Sequence, residues 1–322
     1  MAALWVTFWG TRGSIPVALD STSIKEKLVQ ALVAAAGKDL STPEKARAWM
    51  ESELDFSVSH TFGGNSPCVQ LDAGGPEYVL CDLGSGVRAF GSRVFKRHGP
   101  EKANMYHVFV SHLHWDHIMG FPFFAPAYVP GNTIRIYGCH KELESALRRQ
   151  QDTPCFPVPF HRLGATIEFV TLEAGRSYDI AGWSVTAKLQ SHSGDSYGYR
   201  FVRDGRIIVY STDSEHRLDD PDAVEGAATF FADADLVIFD AMYSLAEAVS
   251  VREDWGHSSN VVGVELCQLA NVKHLVLFHH EPANNDERIA EIWRETLRFE
   301  EITRSGEQLR VSAAYDGLEN EL

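Results

Sequence analysis

The sequence predicts an α/β protein, sheets flanked by helices, formed by residues 1–322 as one domain. Three observations carry that expectation. Short apolar runs of strand length recur from end to end and alternate with stretches of helical composition. No low-complexity linker or compositional break divides the 322 residues, which are 44% hydrophobic and 23% charged, enough for a full core. Several of the most apolar runs also stop abruptly at His or Asp, as strands that end at a functional edge do.

The elements follow in order. Residues 4–9 (LWVTFW) read as a strand stopped by Gly10 and Gly13. The stretch from about 22 to 52 is a helical insertion, broken near Gly37 and Pro43. Residues 68–72 and 78–82 pair across the turn AGGP. Strands follow at 108–111 and 133–137, then a helix over about 141–150. Strands at 166–170, 183–189, 197–202 and 206–210 come next, the last two a hairpin because RDG between apolar runs is a turn signal. Residues 236–239 and 275–278 are buried strands, separated by a helix over 258–270. A helix over about 286–299 and a strand in QLRVSAAY close the chain.

Composition narrows the function. Against 29 Lys+Arg stand 44 Asp+Glu, a formal charge of −15. Such a surface repels polyphosphate, and no long basic run offsets it, so a nucleic-acid partner is not expected. The five cysteines (68, 81, 139, 155 and 267) are scattered, without a C-x-x-C, and read as reduced thiols. The start MAALWVTFWGTRGS lacks the layout of a signal peptide, and no apolar run approaches the ~20 residues that span a bilayer. A cytoplasmic protein with no membrane partner is expected.

The chemistry concentrates in SHLHWDH, residues 111–117. Three histidines and an aspartate in six residues suit a metal site rather than a core. His112 and His114 are two apart, so on an extended segment they face one side and one cation can take both. Asp116 and His117 follow where the chain turns into a helix and can reach a second cation a few ångströms away. Further ligands come from other strand ends: His192 for the first cation, His279 or His280 for the second, and Asp213 as a carboxylate bridging both. Asp82 ends another apolar strand.

These motifs resemble the metallo-β-lactamase superfamily. HLHWDH matches its H-x-H-x-D-H motif. Asp82, His192, Asp213 in YSTDSE and His279 in LVLFHH follow the family order, from GTRGSIP to HHEP. Aspartate rather than cysteine at 213, His257-Ser258-Ser259, TRGS at 11–14 and FGGNS at 62–66 resemble the ribonuclease Z-like and cyclic-nucleotide phosphodiesterase branches. The resemblance implies a four-layer αβ/βα sandwich of two mixed sheets with a dinuclear site at one edge. It selects His279 over His280 and places Asp82 behind a ligand histidine. It makes Asp116 and His257 the catalytic residues, Asp116 orienting a water and His257 donating a proton. Apart from the resemblance, Arg12 and Asn65 either touch a substrate phosphate or shape the backbone with the adjacent glycines, and Tyr197, near His192, is a substrate contact or a core residue. Two divalent ions are implied, zinc first, with manganese or iron as alternatives.

The expected function is hydrolysis of a small, cyclic nucleotide-like phosphodiester by metal-activated water. The alternatives are a lactone, thioester or β-lactam hydrolase, a ribonuclease Z-like nuclease, and a non-enzymatic nucleotide-binding scaffold. Against a transfer-RNA substrate, the sequence lacks a Gly/Pro-rich basic arm, and its aromatic, proline-rich segment 118–165 suits the wall of a small-ligand pocket. The 22–52 insertion either caps the site or forms a homodimer surface.

Overall fold

The computed structural model describes residues 3–243 and 256–322. Trp255 of the WGHSS segment lies outside the described residues.

Two seven-stranded sheets stack face to face. The first runs β14-β1-β2-β3-β4-β5-β6, from β14 (Glu319–Glu321) and β1 (Trp5–Gly10) through β2 (Cys68–Asp72), β3 (Tyr78–Cys81), β4 (Met105–Phe109) and β5 (Thr133–Gly138) to β6 (Thr166–Thr171). The second runs β13-β12-β11-β10-β9-β8-β7, from β13 (Arg310–Ala313), β12 (His274–Phe278), β11 (Leu236–Asp240) and β10 (Arg206–Ser211) to β9 (Ser196–Arg203), β8 (Trp183–Gln190) and β7 (Ser177–Ile180). Each sheet is antiparallel along one half and parallel along the other. β3 to β6 pair in parallel in the first, and β10 to β13 in the second.

Strand alternation divides most of the apolar side chains among the three largest of four cores. In β10, β11 and β12, Ile208, Tyr210, Ile238, Val276 and Phe278 face the seam between the sheets, where they meet Val6, Phe8, Val79 and Phe109. Their neighbours Val209, Val237, Phe239, Leu275 and Leu277 face outward. Helices α7 (Pro221–Phe231) and α8 (Asn260–Leu269) cover that outer face with Phe230, Phe231, Val264 and Leu266. On the other side, Leu80, Val108 and Ile136 pack under α4 (Val87–His98) and α6 (Leu143–Gln150) through Val87, Phe90 and Leu143. Strands buried on both faces read as unbroken apolar runs, which is why they stand out in the sequence. The four-layer sandwich is therefore the observed fold.

Between β1 and β2 lie α1 (Ser21–Ala34), α2 (Pro43–Glu53) and a single turn, α3 (Phe56–Ser59). Asp20 and Thr42 cap α1 and α2, and neither of these two helices has a buried residue. A fifth short helix, α5 (Trp115–Ile118), follows β4, and α9 (Asp286–Thr303) precedes β13. Among the described residues no helix is long and apolar enough to cross a membrane.

Four elements depart from expectation. QLRVSAAY does not close the chain: β13 joins the second sheet, and the chain then returns to pair β14 with the outer edge of β1. Its sequence ENE has no apolar pattern, because an edge strand pairs by backbone alone and charges protect such edges. Helices α4 and α7 and strand β7 were also not expected, although Asp220 and Pro221 form a capped start for α7. The aromatic segment 118–165 is mainly core rather than pocket wall. Phe121, Phe124 and Phe160 are buried beneath the helices of the first sheet.

His274 begins β12 and meets Ser312 Oγ through Nε2 at 2.8 Å. Burial pushes its pKa down to about 3, and the charge of Arg310 adds to the shift. In the unfolded chain the same imidazole titrates near 6.5. Below that pH the unfolded state binds a proton that the folded state refuses. Stability is therefore lost as pH falls from about 6.5 towards 3, and this group has no effect above that window. At pH 5, His274→Gln is expected to recover up to about 2 kcal/mol of the acid-induced loss, measured by urea unfolding at pH 7 and pH 5.

Candidate metal centre

The parallel strands β3, β4, β10, β11 and β12 all deliver their carboxyl ends to one edge of the sandwich, the edge where open α/β sheets bind ligands. Three residues at these ends have left-handed backbones: Asp82 (φ 59°), Asp213 (φ 28°) and His279 (φ 60°). Such backbones are strained for these residue types and occur at functional sites.

Three clusters of potential ligands result, a small one of Asp240, His257 and His279 and two that share Asp213. His112, His114, His192 and Asp213 form one, and Asp116, His117, Asp213 and His279 the other; within each, one ligand atom per residue lies within 4.8 Å of the rest. Asp213 belongs to both, and its two oxygens are divided between them. Oδ1 lies 3.1 Å from Nε2 of His117 and 3.1 Å from Nε2 of His279. Oδ2 lies 3.5 Å from His112 Nε2 and 3.8 Å from His192 Nε2. Asp116 Oδ2 completes the second cluster, 3.2 Å from His117 Nε2 and 3.3 Å from His279 Nε2. The backbone N–H of Ser14 donates to the same oxygen at 2.8 Å.

The donor atoms suit cations. His192 donates its Nδ1 proton to Gly256 O at 2.7 Å, which leaves the Nε2 lone pair facing His114 Nδ1 at 3.2 Å. His117 donates Nδ1 to Asp82 at 2.7 Å and turns Nε2 towards His279 Nε2 at 3.3 Å. The buried Nε2 of His112 has no hydrogen-bond partner. Burial holds His112 well below the usual imidazole range, and the charge of His117 lowers it further. Burial acts the same way on His117, but Asp213, Asp116 and Asp82 overcome it and drive that ring well up. These carboxylates, almost out of solvent, demand positive charge at this point. Histidine nitrogens and carboxylate oxygens arranged in two adjoining sets fit a dinuclear metal site.

Asp82 stands behind the cluster. It is fully buried and accepts from Ser111 N (2.7 Å), Ser111 Oγ (2.8 Å), His117 Nδ1 (2.7 Å) and, from the opposite sheet, Tyr210 OH (2.7 Å). A ligand histidine is commonly oriented in this way. Asp240, at the end of β11, was not singled out in the sequence. It meets His257 Nδ1 at 2.8 Å through Oδ2, and its Oδ1 lies 3.8 Å from His279 Nδ1. The signal was the same as elsewhere, an apolar run (LVIF) ending in Asp. His257 stacks on His279 with ring centroids 5.2 Å apart and meets His192 edge-on at 5.1 Å. Burial lowers its pKa, but Asp240 outweighs this and raises it to about 9.

Two glycines make room. A Cβ on Gly13 would come 2.6 Å from the His279 ring, and one on Gly256 (φ +80°) 2.5 Å from His192 Nδ1.

Other expected residues are not members of these clusters. His280 points away from the clusters, and its Nε2 donates to Ala314 O at 2.8 Å. Arg12 is buried, with Nε on Gly63 O at 2.9 Å, one Nη on Asn284 O at 2.7 Å, and Asp286 beside it at 3.8 Å. Asn65 donates Nδ2 to Asp316 at 2.9 Å and accepts from Ser85 Oγ at 3.0 Å. Both side chains help to shape the 62–66 turn. Tyr197 is half-buried with its ring edge-on to His140 at 5.1 Å, and His140 Nε2 donates to Asp195 O at 2.7 Å.

Comparison with known proteins bears on the family and the fold. Residues 77–280 match the family described as the β-lactamase superfamily domain. A ribonuclease Z of Bradyrhizobium diazoefficiens is 23% identical over 274 residues, covering 70% of this chain and 87% of that protein. The metallo-β-lactamase fold protein YhfI of Bacillus subtilis superposes with a TM-score of 0.65 at 17% identity, over 100% of both chains. Yeast PDE1 superposes with a TM-score of 0.61 at 16% identity, over 99% of each chain. These two likenesses are likenesses of fold.

Asp213→Asn keeps the side-chain volume but replaces one donor oxygen with an amide. The metal content of dialysed protein, measured by elemental analysis, is expected to fall from about two ions per chain to one or fewer. Retention of two would detach Asp213 from the pair.

Proposed function

This chain belongs to the β-lactamase superfamily, and from that premise we propose that it is a phosphodiesterase with two metal ions, acting on a small, cyclic nucleotide-like diester. It is a metal-dependent hydrolase; the proposal concerns its ligands, its substrate and the working parts of its site. The carrying observation is the division of the Asp213 carboxylate, one oxygen towards His117 and His279 and the other towards His112 and His192. One cation is assigned to His112, His114, His192 and Asp213, the other to Asp116, His117, Asp213 and His279. Zinc is the first choice for this donor set.

Cations held there supply Lewis acidity, lowering the pKa of water and neutralising charge that builds on a phosphoryl group. The chain's own groups do the rest. Asp116, fixed by Ser14 N, orients the attacking water and accepts its proton. Asp82 sets the tautomer of His117. His257 has Nδ1 committed to Asp240, which leaves Nε2 to deliver a proton to the leaving alkoxide. A phosphodiester needs such a donor because an alkoxide is a poor leaving group. This pair favours a phosphodiester over a thioester, whose thiolate leaves without a proton. The whole chain is read as one hydrolase domain, since both sheets supply the site.

A nuclease is the second reading, favoured by the sequence relative named ribonuclease Z. The net charge of −15 weighs against a polyanion. Hydrolysis of a structured RNA in preference to cyclic nucleotides and bis(p-nitrophenyl) phosphate would decide for the nuclease.

With zinc restored, both small diesters are expected to be cleaved. His257→Ala is expected to lower kcat on the cyclic nucleotide about 10²–10⁴-fold with metal content unchanged, and to lower it far less on bis(p-nitrophenyl) phosphate, whose nitrophenolate leaves without a proton. Asp240→Asn should move kcat in the same direction by less. Zinc-loaded protein inert towards every phosphodiester would overturn the proposal.

A further inference from the structure

The clusters are mostly buried: His112, Asp116, His117, Asp213 and His279 are closed off, and His114 is the exposed member. Solvent and substrate therefore reach the site on the His114 side. The next residue, Trp115, lies between His114 and Asp116 and is 72% exposed, against 37% for Trp5, the next most exposed tryptophan among the described residues. A second segment supplies another apolar side chain near the same opening. Ser14 N binds Asp116 Oδ2 at 2.8 Å, and its neighbour Ile15 is 57% exposed.

Single exposed apolar side chains are ordinary on a protein surface. Here two from distant parts of the chain adjoin the polar site in sequence, Trp115 between His114 and Asp116 and Ile15 next to Ser14. A compact, fully polar diester gains nothing from them. An exposed indole carried between two residues of the candidate centre suits one flat, apolar ring attached to a phosphoryl group bound there. We propose that Trp115, with Ile15 beside it, is the specificity platform of the site: it stacks the nucleobase, or an equivalent aromatic group, of a mononucleotide-type phosphodiester. Trp115 makes this contact outside the metal-binding set and takes no part in proton transfer. It therefore governs which diester is held rather than how fast the bond breaks.

The turnover part of the test rests on the phosphodiesterase reading; the binding part does not. In the binding experiment, zinc-loaded wild type and Trp115→Ala are titrated calorimetrically with adenosine 5′-monophosphate and with inorganic phosphate. The variant is expected to lose about tenfold more affinity for the nucleotide than for phosphate, the scale of one base–aromatic stack. Trp115→Phe should recover most of that difference. In the turnover experiment, thymidine 5′-(p-nitrophenyl phosphate) is compared with methyl p-nitrophenyl phosphate, which shares the leaving group. The ratio of their KM values is expected to shift about tenfold against the nucleotide, with the ratio of kcat values kept. Any loss common to both substrates belongs to neighbouring His114 and Asp116.

Equal losses for nucleotide and phosphate, or none, would overturn the platform. So would a requirement for Trp115 in binding an N-acyl lactone but not a nucleotide, since the rim would then be built for an acyl chain. If wild type cleaves neither ester, the phosphodiesterase reading fails, and the binding ratio still decides the role of Trp115.

Discussion

A single buried carboxylate, Asp82, ties the fold to the site. It ends β3 of the first sheet, yet one of its hydrogen bonds comes from Tyr210 of the second. Its other partners are the backbone and hydroxyl of Ser111 and the Nδ1 of His117. Stacking of the sheets and orientation of a cluster histidine are thus one interaction network. A carboxylate this deep is tolerable only while every partner is present, because removing one leaves buried charge uncompensated. The register of the two sheets cannot drift without turning His117.

Backbone geometry provides the second constraint. A strand presents alternate residues to alternate faces, so a run that packs both the seam and the helices has no side chain left for its edge. The left-handed turns at Asp82, Asp213 and His279 resolve this by redirecting the chain as each strand ends. Each such backbone costs on the order of 1–3 kcal/mol. Hydrogen bonds to fixed neighbours offset that cost, as where Thr212 Oγ1 donates to Asp213 Oδ1 at 2.7 Å.

What the sequence discloses follows from how local each signal is. HLHWDH states its own chemistry because its four ligand-type residues lie within six positions. His192, Asp213 and Asp82 could be found because each follows an apolar run. The choice of His279 over His280 came from family order, whereas in the structure it follows from a left-handed backbone that no residue pattern announces. Asp240 was overlooked although LVIFD carries the same punctuation, because its partner His257 is 17 residues away and nothing local joins them. For Arg12 and Asn65 the sequence leaves a substrate contact and a backbone-shaping role side by side. Their real partners, Gly63 O, Asn284 O and Asp316, are fixed by tertiary contacts that the sequence does not display. Strand β14 was hidden for a similar reason, since its pairing uses main-chain groups common to every residue.

The donor atoms span positions 112 to 279 and come from both sheets, so a filled centre is also a clamp on the folded chain. Whatever binds the native state and not the unfolded one raises stability by mass action. A chain of this fold lacking such an ion would unfold more readily and meet proteases more often in that state.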